Sequence, residues 1–208
     1  MQRKINKKVS LLQTSDFRLQ RAFTVVELLV VMAMIGILSL VIIPSYKNAK
    51  DQLALERSAV QLAQYISRAR EMAMSFYECG APCAGTIPWG YGLYLKKVPA
   101  DPPQKTYILF ADTFGEDGRY KSSQDVAIEE ITLENNVIIR DLTKNYMHIG
   151  FKPPDPMVSL SGKNTDNFED PGDLPSSYSS INITIALQDN PAKQKTIRVN
   201  AVGLITID

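Results

Sequence analysis

Apolar residues fall along this chain in three successive regimes, and each regime predicts a different element. From Leu28 to Ile43 they run almost without interruption. With its flanks, the segment from Phe23 to Tyr46 is predicted to be a helix, which at about 1.5 Å per residue is long enough to cross a hydrocarbon layer of ~30 Å. Beyond it the run opens into a stripe: Leu55, Ala59, Leu62, Ile66, Ala69, Ala73 and Phe76 follow at alternating spacings of four and three, with Glu56, Arg57, Gln61, Gln64, Arg68 and Glu71 between them. That spacing predicts an amphipathic helix with one face on a globular layer and the other in water. After Tyr77 the period shortens, and β-rich segments are expected at 91–98, 106–111, 127–133, 137–142, 147–151, 181–187, 196–202 and 204–207.

Turn chemistry separates these segments at Gly115–Gly118, Asn135–Asn136, Pro153–Pro156 and Asp189–Pro191. Strands so short are not stable alone, so the stripe of residues 55–76 is expected to lie across an antiparallel sheet as its core. The expected fold is therefore α+β: a long N-terminal helix, membrane-spanning and then amphipathic, packed on a C-terminal antiparallel β-sheet domain. The organisation read from the pattern is a basic leader at 1–22, a transmembrane helix at 23–46, its amphipathic continuation at 47–78 and a β-rich head at 79–208.

Charge sharpens this picture. The chain of 208 residues carries a net charge of +1. Its first 22 residues hold Arg3, Lys4, Lys7, Lys8, Arg18 and Arg21 against Asp16, a net +5, which leaves −4 for the other 186. A secretory signal has its small-residue cleavage site after the apolar core. Here the small residue, Ala22, precedes the core, so cleavage there would keep the apolar segment as an anchor. The basic leader outweighs Lys47, Lys50 and Arg57 on the far side, which predicts a single-pass protein of the cytoplasmic membrane with its N-terminus inside and its head exported. The alternative is a buried helix in a soluble protein, for which a leader with six basic residues has no use.

The junction Arg21-Ala22-Phe23-Thr24-Val25-Val26-Glu27 places one carboxylate where the apolar run begins. An acidic group at the centre of a membrane helix is unfavourable by roughly 2.5–3.5 kcal/mol, and by less near the interface, so Glu27 calls for a partner. A cut between Ala22 and Phe23 would create one, because the new amine of one subunit can neutralise the carboxylate of its neighbour. Pro44 removes a backbone donor and collides with the carbonyl of Leu40, so with Gly36 it predicts a weak point in the helix.

These residues resemble the class III signal of type IV prepilins and type II secretion pseudopilins. The resemblance implies that a prepilin peptidase cuts before Phe23 and methylates its amine, that Thr24 and Glu27 serve assembly, and that Pro44 is the family's helix-kinking proline, near which the helix loosens on assembly. One departure is Ala22, where the family usually has Gly. Weaker matches follow the order of the H-type minor pseudopilins: Ala69-Arg70, the run Tyr107–Asp112, the segment Ile149–Asp155 and the closing run from Arg198 through Gly203. The implied function is that of a minor subunit of a pseudopilus or type IV pilus-like filament serving type II protein secretion. Its implied partners are other pilin or pseudopilin subunits, the prepilin peptidase and methyltransferase, an inner-membrane assembly platform and membrane lipid.

A DNA-binding minor pilin of a competence or type IV pilus system shares the whole N-terminal apparatus. Phosphate capture needs clustered Lys and Arg. Lys193, Lys195 and Arg198 form the only late cluster, so DNA is a disfavoured partner. Cys79 and Cys83 flank Gly80-Ala81-Pro82 in a region placed outside the cytoplasm, where a disulfide persists. That pairing is favoured over two free thiols and over metal, since His148 is the only histidine. The acidic groups Asp112, Glu116 and Asp117, and Asp166, Glu169, Asp170 and Asp173 in the polar stretch 161–180, lack the ligand spacing of a calcium loop and read as solvated surface. No nucleophile motif, phosphate loop or dinucleotide turn appears, so neither enzymatic activity nor a cofactor is expected.

Overall fold

The computed structural model describes residues 24–83, 85–97, 103–115, 117–154, 158–164 and 176–208, with the backbone but not the side chains at 41–45 and 176–177. One long helix, α1 (Val25–Met74), opens the structure. The chain divides into two units at the Ser45–Tyr46 bond.

In the first unit, Thr24 starts the helix. Its hydroxyl oxygen accepts the Glu27 N–H at 3.2 Å and its carbonyl accepts the Leu28 N–H at 3.2 Å, the two bonds of an N-cap. Large apolar side chains then project in all directions: Val25, Leu29, Met32, Ile37 and Leu40 are each more than half exposed. The Ser39 hydroxyl donates to the Ile35 carbonyl at 2.8 Å, a back-bond that competes with the helix ladder.

In the second unit, the rest of α1 supplies the stripe that the spacing predicts. Leu55, Ala59, Leu62, Ile66, Ala69 and Ala73 are buried. Phe76 is not part of it. The helix has already stopped at Met74, and Phe76 sits at φ 48° and is 61% exposed. The Phe76 N–H donates to the Ala73 carbonyl and the Tyr77 N–H to the Met72 carbonyl, which together make a Schellman cap with an aromatic residue where glycine is usual.

Among the described residues ten strands follow: β1 (Gly90–Lys96), β2 (Thr106–Asp112), β3 (Val126–Thr132), β4 (Val137–Leu142), β5 (Tyr146–Phe151), β6 (Val158–Lys163), β7 (Ser176–Ser177), β8 (Ser180–Leu187), β9 (Gln194–Asn200) and β10 (Ile205–Ile207). They form two antiparallel sheets rather than the single sheet expected, in the orders β3-β2-β1-β5-β6-β7 and β10-β9-β8-β4. Tyr91, Leu93 and Leu95 of β1, and Tyr107 and Leu109 of β2, face the core from the larger sheet. Ile181, Ile183 and Ile185 of β8, with Ile197 and Val199 of β9, face it from the smaller. All join one cluster with the helix stripe. Every buried apolar residue of that cluster lies between Ala54 and Val199, so the core belongs to the second unit, residues 46–208.

Two further expectations are corrected. The polar stretch 161–180 begins inside β6, which pairs with β5 from Phe151↔Val158 to Tyr146↔Lys163. Its Ser-rich composition hid a strand whose identity comes from its neighbour rather than from propensity. The strand expected at 196–202 ends at Asn200, where Ala201 and Val202 turn before Gly203 at φ 83°.

Candidate functional site

The head is braced on the helix by polar contacts at the rim of the core. The Tyr65 hydroxyl donates to Glu129 Oε1 at 2.6 Å, Arg68 pairs with Glu129 Oε2 at 2.9 Å, and the Ser58 hydroxyl accepts the Glu134 N–H at 3.2 Å. Tyr65 and Tyr107 meet edge to face at 5.8 Å. After the helix cap, the Tyr91 hydroxyl donates to the Tyr77 carbonyl. Cys79 and Cys83 lie in this connection, Cys83 closing the 3₁₀ turn Ala81–Cys83 and Cys79 just before it, with their sulfurs in contact and their Cα atoms 5.7 Å apart. That separation falls inside the range of about 4.4–6.8 Å found for bridged pairs.

On the other face of the larger sheet residues 113–115 and 117–125 fold down as a strap. Asp112 is 1% exposed and its Oδ2 accepts the Gly118 N–H at 2.7 Å. Asp125, also buried, accepts from the N–H groups of Thr113, Phe114 and Lys121. Asp117 pairs with Lys121 at 2.8 Å. The acidic turn is thus not the solvated surface expected: its carboxylates tie down backbone donors that the strap leaves unpaired. Glu116, Asp166, Glu169, Asp170 and Asp173 lie outside the described residues.

Burial raises the Asp112 carboxyl to about 6; the Gly118 hydrogen bond opposes this, while Asp125 and Asp117 add to it. Burial also raises Asp125. His148, fully buried on β5, accepts the Tyr120 N–H on Nδ1 at 2.9 Å. Burial, helped by the Arg119 charge, lowers its pKa to about 3, so it is a neutral acceptor that holds the strap. Two glycines let the strap and its aromatic lining lie close: a Cβ at Gly150 would meet the Gly118 carbonyl oxygen at 2.6 Å, and one at Gly92 would meet the Phe110 ring at 2.7 Å.

Of the residues singled out for processing and assembly, Ala22 and Phe23 lie outside the described residues. Thr24 and Glu27 come together in the first turn of α1. Thr24 caps the Glu27 N–H, and the acid occupies the helix N-terminus, where the macrodipole favours negative charge. Thr-x-x-Glu before an apolar run is a capping-box spacing, a signal present in the sequence and not used in its reading. Gly36 lies in the exposed apolar part of α1 with open space around it. Pro44 falls within α1, its side chain outside the description. Among the described residues no helix is long and apolar enough to cross a membrane, and no three His, Cys, Asp or Glu side chains assemble into a metal site.

A long N-terminal helix whose second part packs on antiparallel sheets defines an α+β, pilin-like fold. Residues 17–43 match the family model of the prokaryotic N-terminal methylation motif, the prepilin signal of type IV pilins and pseudopilins. The chain therefore carries the signal of a membrane-anchored, type IV pilin-like subunit, which implies other pilin subunits and a prepilin peptidase as partners. No curated protein and no solved structure matches the chain.

Proposed function

We propose that this chain is a structural minor subunit, of the H-type, in a pseudopilus serving type II protein secretion, and that it has no enzymatic role. It is inserted once in the cytoplasmic membrane with its N-terminus inside, cut between Ala22 and Phe23, methylated on Phe23 and drawn into a filament by an assembly platform. Residues 23–46 then pack among the stems of other subunits, while the head from residue 79 onward, carried by the amphipathic helix 47–78, faces outward. Cys79 and Cys83 form a disulfide that staples the helix–sheet connection. The observation that carries this reading is a methylation motif at 17–43 followed by a compact unit, residues 46–208, that holds its own core.

Glu27 supports the reading because it is the one acid in an otherwise apolar helix start. Its carboxylate pairs with the amine of a neighbouring Phe23 and sets the height at which subunits dock. The test is the N-terminal residue and mass of protein extracted from membranes. N-methylated Phe23 is expected; protein that still begins at Met1 while functioning normally overturns the proposal. A DNA-uptake role shares this N-terminus and is separated by a salt-titrated DNA-binding assay on residues 46–208. Micromolar binding that weakens as salt rises would favour uptake over secretion.

A further inference from the structure

The outermost strands of a sheet carry backbone N–H and C=O groups that need either a partner or protection from one. In the larger sheet the edge strand β3 holds Glu129 and Glu130 side by side, and Tyr65 and Arg68 bind Glu129. In the smaller sheet the edge strand β4 breaks register between Ile139 and Asp141, and the Ile139 N–H donates to the Gln104 carbonyl at 2.9 Å. Charges, bulges and covering loops are the devices that keep an edge from pairing further. β10, at the other edge of the smaller sheet, has none of them. Ile205-Thr206-Ile207 carries neither charge nor proline and pairs with β9 without a register break.

The bonds on either side of β10 fix which of its backbone groups point outward. Thr196 and Asp208 exchange N–H···O bonds of 3.1 and 2.9 Å, and the Asn200 N–H donates to the Leu204 carbonyl at 3.2 Å. Bonded and non-bonded pairs alternate along an antiparallel ladder, so Thr206 bonds to Arg198, whereas Ile205 and Ile207 turn their N–H and C=O groups away from β9. The side chains of Ile205 and Ile207 form one wall of a groove of about 350 Å³, and Val60 and Ala63 of α1 stand on the other. Val60 and Ile207 are exposed, so this wall-to-wall space is open and apolar. Two charged residues also line it: Arg68 is 2.9 Å from Glu129, while Glu71 is exposed and makes no ion pair among the described residues.

We propose that this edge takes up an extended segment of another polypeptide, which adds a strand antiparallel to β10. Two residues of that segment lie opposite Ile205 and Ile207 and exchange N–H···O bonds with both. Directly opposed residues share a face of the sheet, so these two are apolar and enter the groove, while the residue between them faces outward and is polar. A lysine or arginine beside them meets Glu71. A second copy of this chain would set only the three residues of its own β10 against these three, far short of the about 20–30 residues a side of a stable interface. A captured strand needs no such area, because main-chain bonds supply its affinity and the groove its specificity.

The test uses residues 46–208, the compact unit that holds the core, and the acetylated, amidated peptide Lys-Thr-Val-Thr-Val-Thr-Lys. Amide hydrogen exchange is read by NMR with the peptide at about 1 mM, a concentration that reveals weak contacts. The peptide is expected to slow exchange at Ile205 and Ile207 and to leave the amides of β3 unchanged. Methylating the amide nitrogens of both valines removes the donors that face β10 and is expected to weaken binding roughly tenfold or more. Methylating the central threonine nitrogen, which points away from β10, is expected to change it far less. Ala63→Leu, which fills the groove from the helix side, is expected to weaken the unmodified peptide by a similar factor, and Glu130→Ala on β3 is expected to have no effect. No slowing at Ile205 and Ile207, slowing at β3 instead, or equal binding of the two methylated peptides overturns the proposal. So does dimerisation of residues 46–208 through β10, which would make a second copy the occupant. The methylated peptides leave the protein unaltered, and an unchanged melting temperature verifies the fold of Ala63→Leu. None of these measurements depends on cleavage or membrane insertion, so their failure is distinguishable from failure of the filament reading.

Discussion

Replacing Asp112 with Asn removes a carboxylate that the fold holds at a cost. Asp112 is 1% exposed, with Oδ2 on the Gly118 N–H and Asp125 and Asp117 as like-charged neighbours; Lys152 is the cation that opposes them. Its pKa rises from 3.8 unfolded to about 6 folded. That difference corresponds to roughly 3 kcal/mol. Between those two values the folded state keeps a proton that the unfolded chain has released, so stability falls as pH rises and then stays low above the folded pKa. Asp125, raised in the same direction by burial, adds to the slope. Asn keeps an acceptor for Gly118 and has no charge to bury. Urea unfolding of residues 46–208 at about pH 4 and about pH 8 should show Asp112→Asn close to wild type in acid and more stable by about 2–3 kcal/mol at the higher pH. Parallel pH profiles, or an Asn variant less stable at the higher pH, would refute the argument, because the ionised carboxylate would then be a net asset to the fold.

Ile66 is fully buried in the helix stripe, so Ile66→Ala should destabilise the head by about 2–5 kcal/mol in the same urea assay. Phe76→Gly should stabilise it by about 1 kcal/mol, since glycine adopts the left-handed conformation of the helix cap without strain, whereas Phe76→Ala should gain nothing. A thiol assay on unreduced protein should find neither Cys79 nor Cys83 free, and reduction should cost about 2 kcal/mol for so small a loop; two free thiols would rule the bridge out. Glu27→Leu should leave membrane insertion and the Thr24 cap intact, because that cap uses the backbone N–H of residue 27, and should abolish incorporation into filaments. Normal incorporation of that variant would remove the basis for pairing with a neighbour's amine.

The parts of the fold legible in the sequence are those written in local periodicity. The stripe from Leu55 to Ala73 is buried residue for residue, because spacings of three and four define one helix face whatever that face later meets. It failed at Phe76, where periodicity continued after the backbone had turned. Most strands were visible as runs of Val, Ile and aromatic residues. β6 was not, since Val158-Ser-Leu-Ser-Gly-Lys163 becomes a strand through six register pairs with β5, a non-local cause. The same limit explains Asp112 and Asp125: a turn rich in acids reads as solvated until the strap is seen to lie on the sheet with its backbone donors in need of acceptors.

The candidate assembly site is proposed from the sequence on a different ground: its chemistry depends on a few adjacent residues and on an environment. A helix that exposes Val25, Leu29, Met32, Ile37 and Leu40 on every side has no inner face on which to fold back. At about 25 cal/mol per Å² of apolar surface, leaving such a segment in water is a standing cost, and it is relieved only by hydrocarbon or by other apolar helices. Glu27 sharpens the requirement, because a surrounding that suits the apolar residues is hostile to its charge unless a cation arrives with it. On the proposed reading, a neighbouring subunit meets both demands together, its apolar stem covering these side chains and its Phe23 amine pairing with Glu27, whereas lipid alone satisfies only the first.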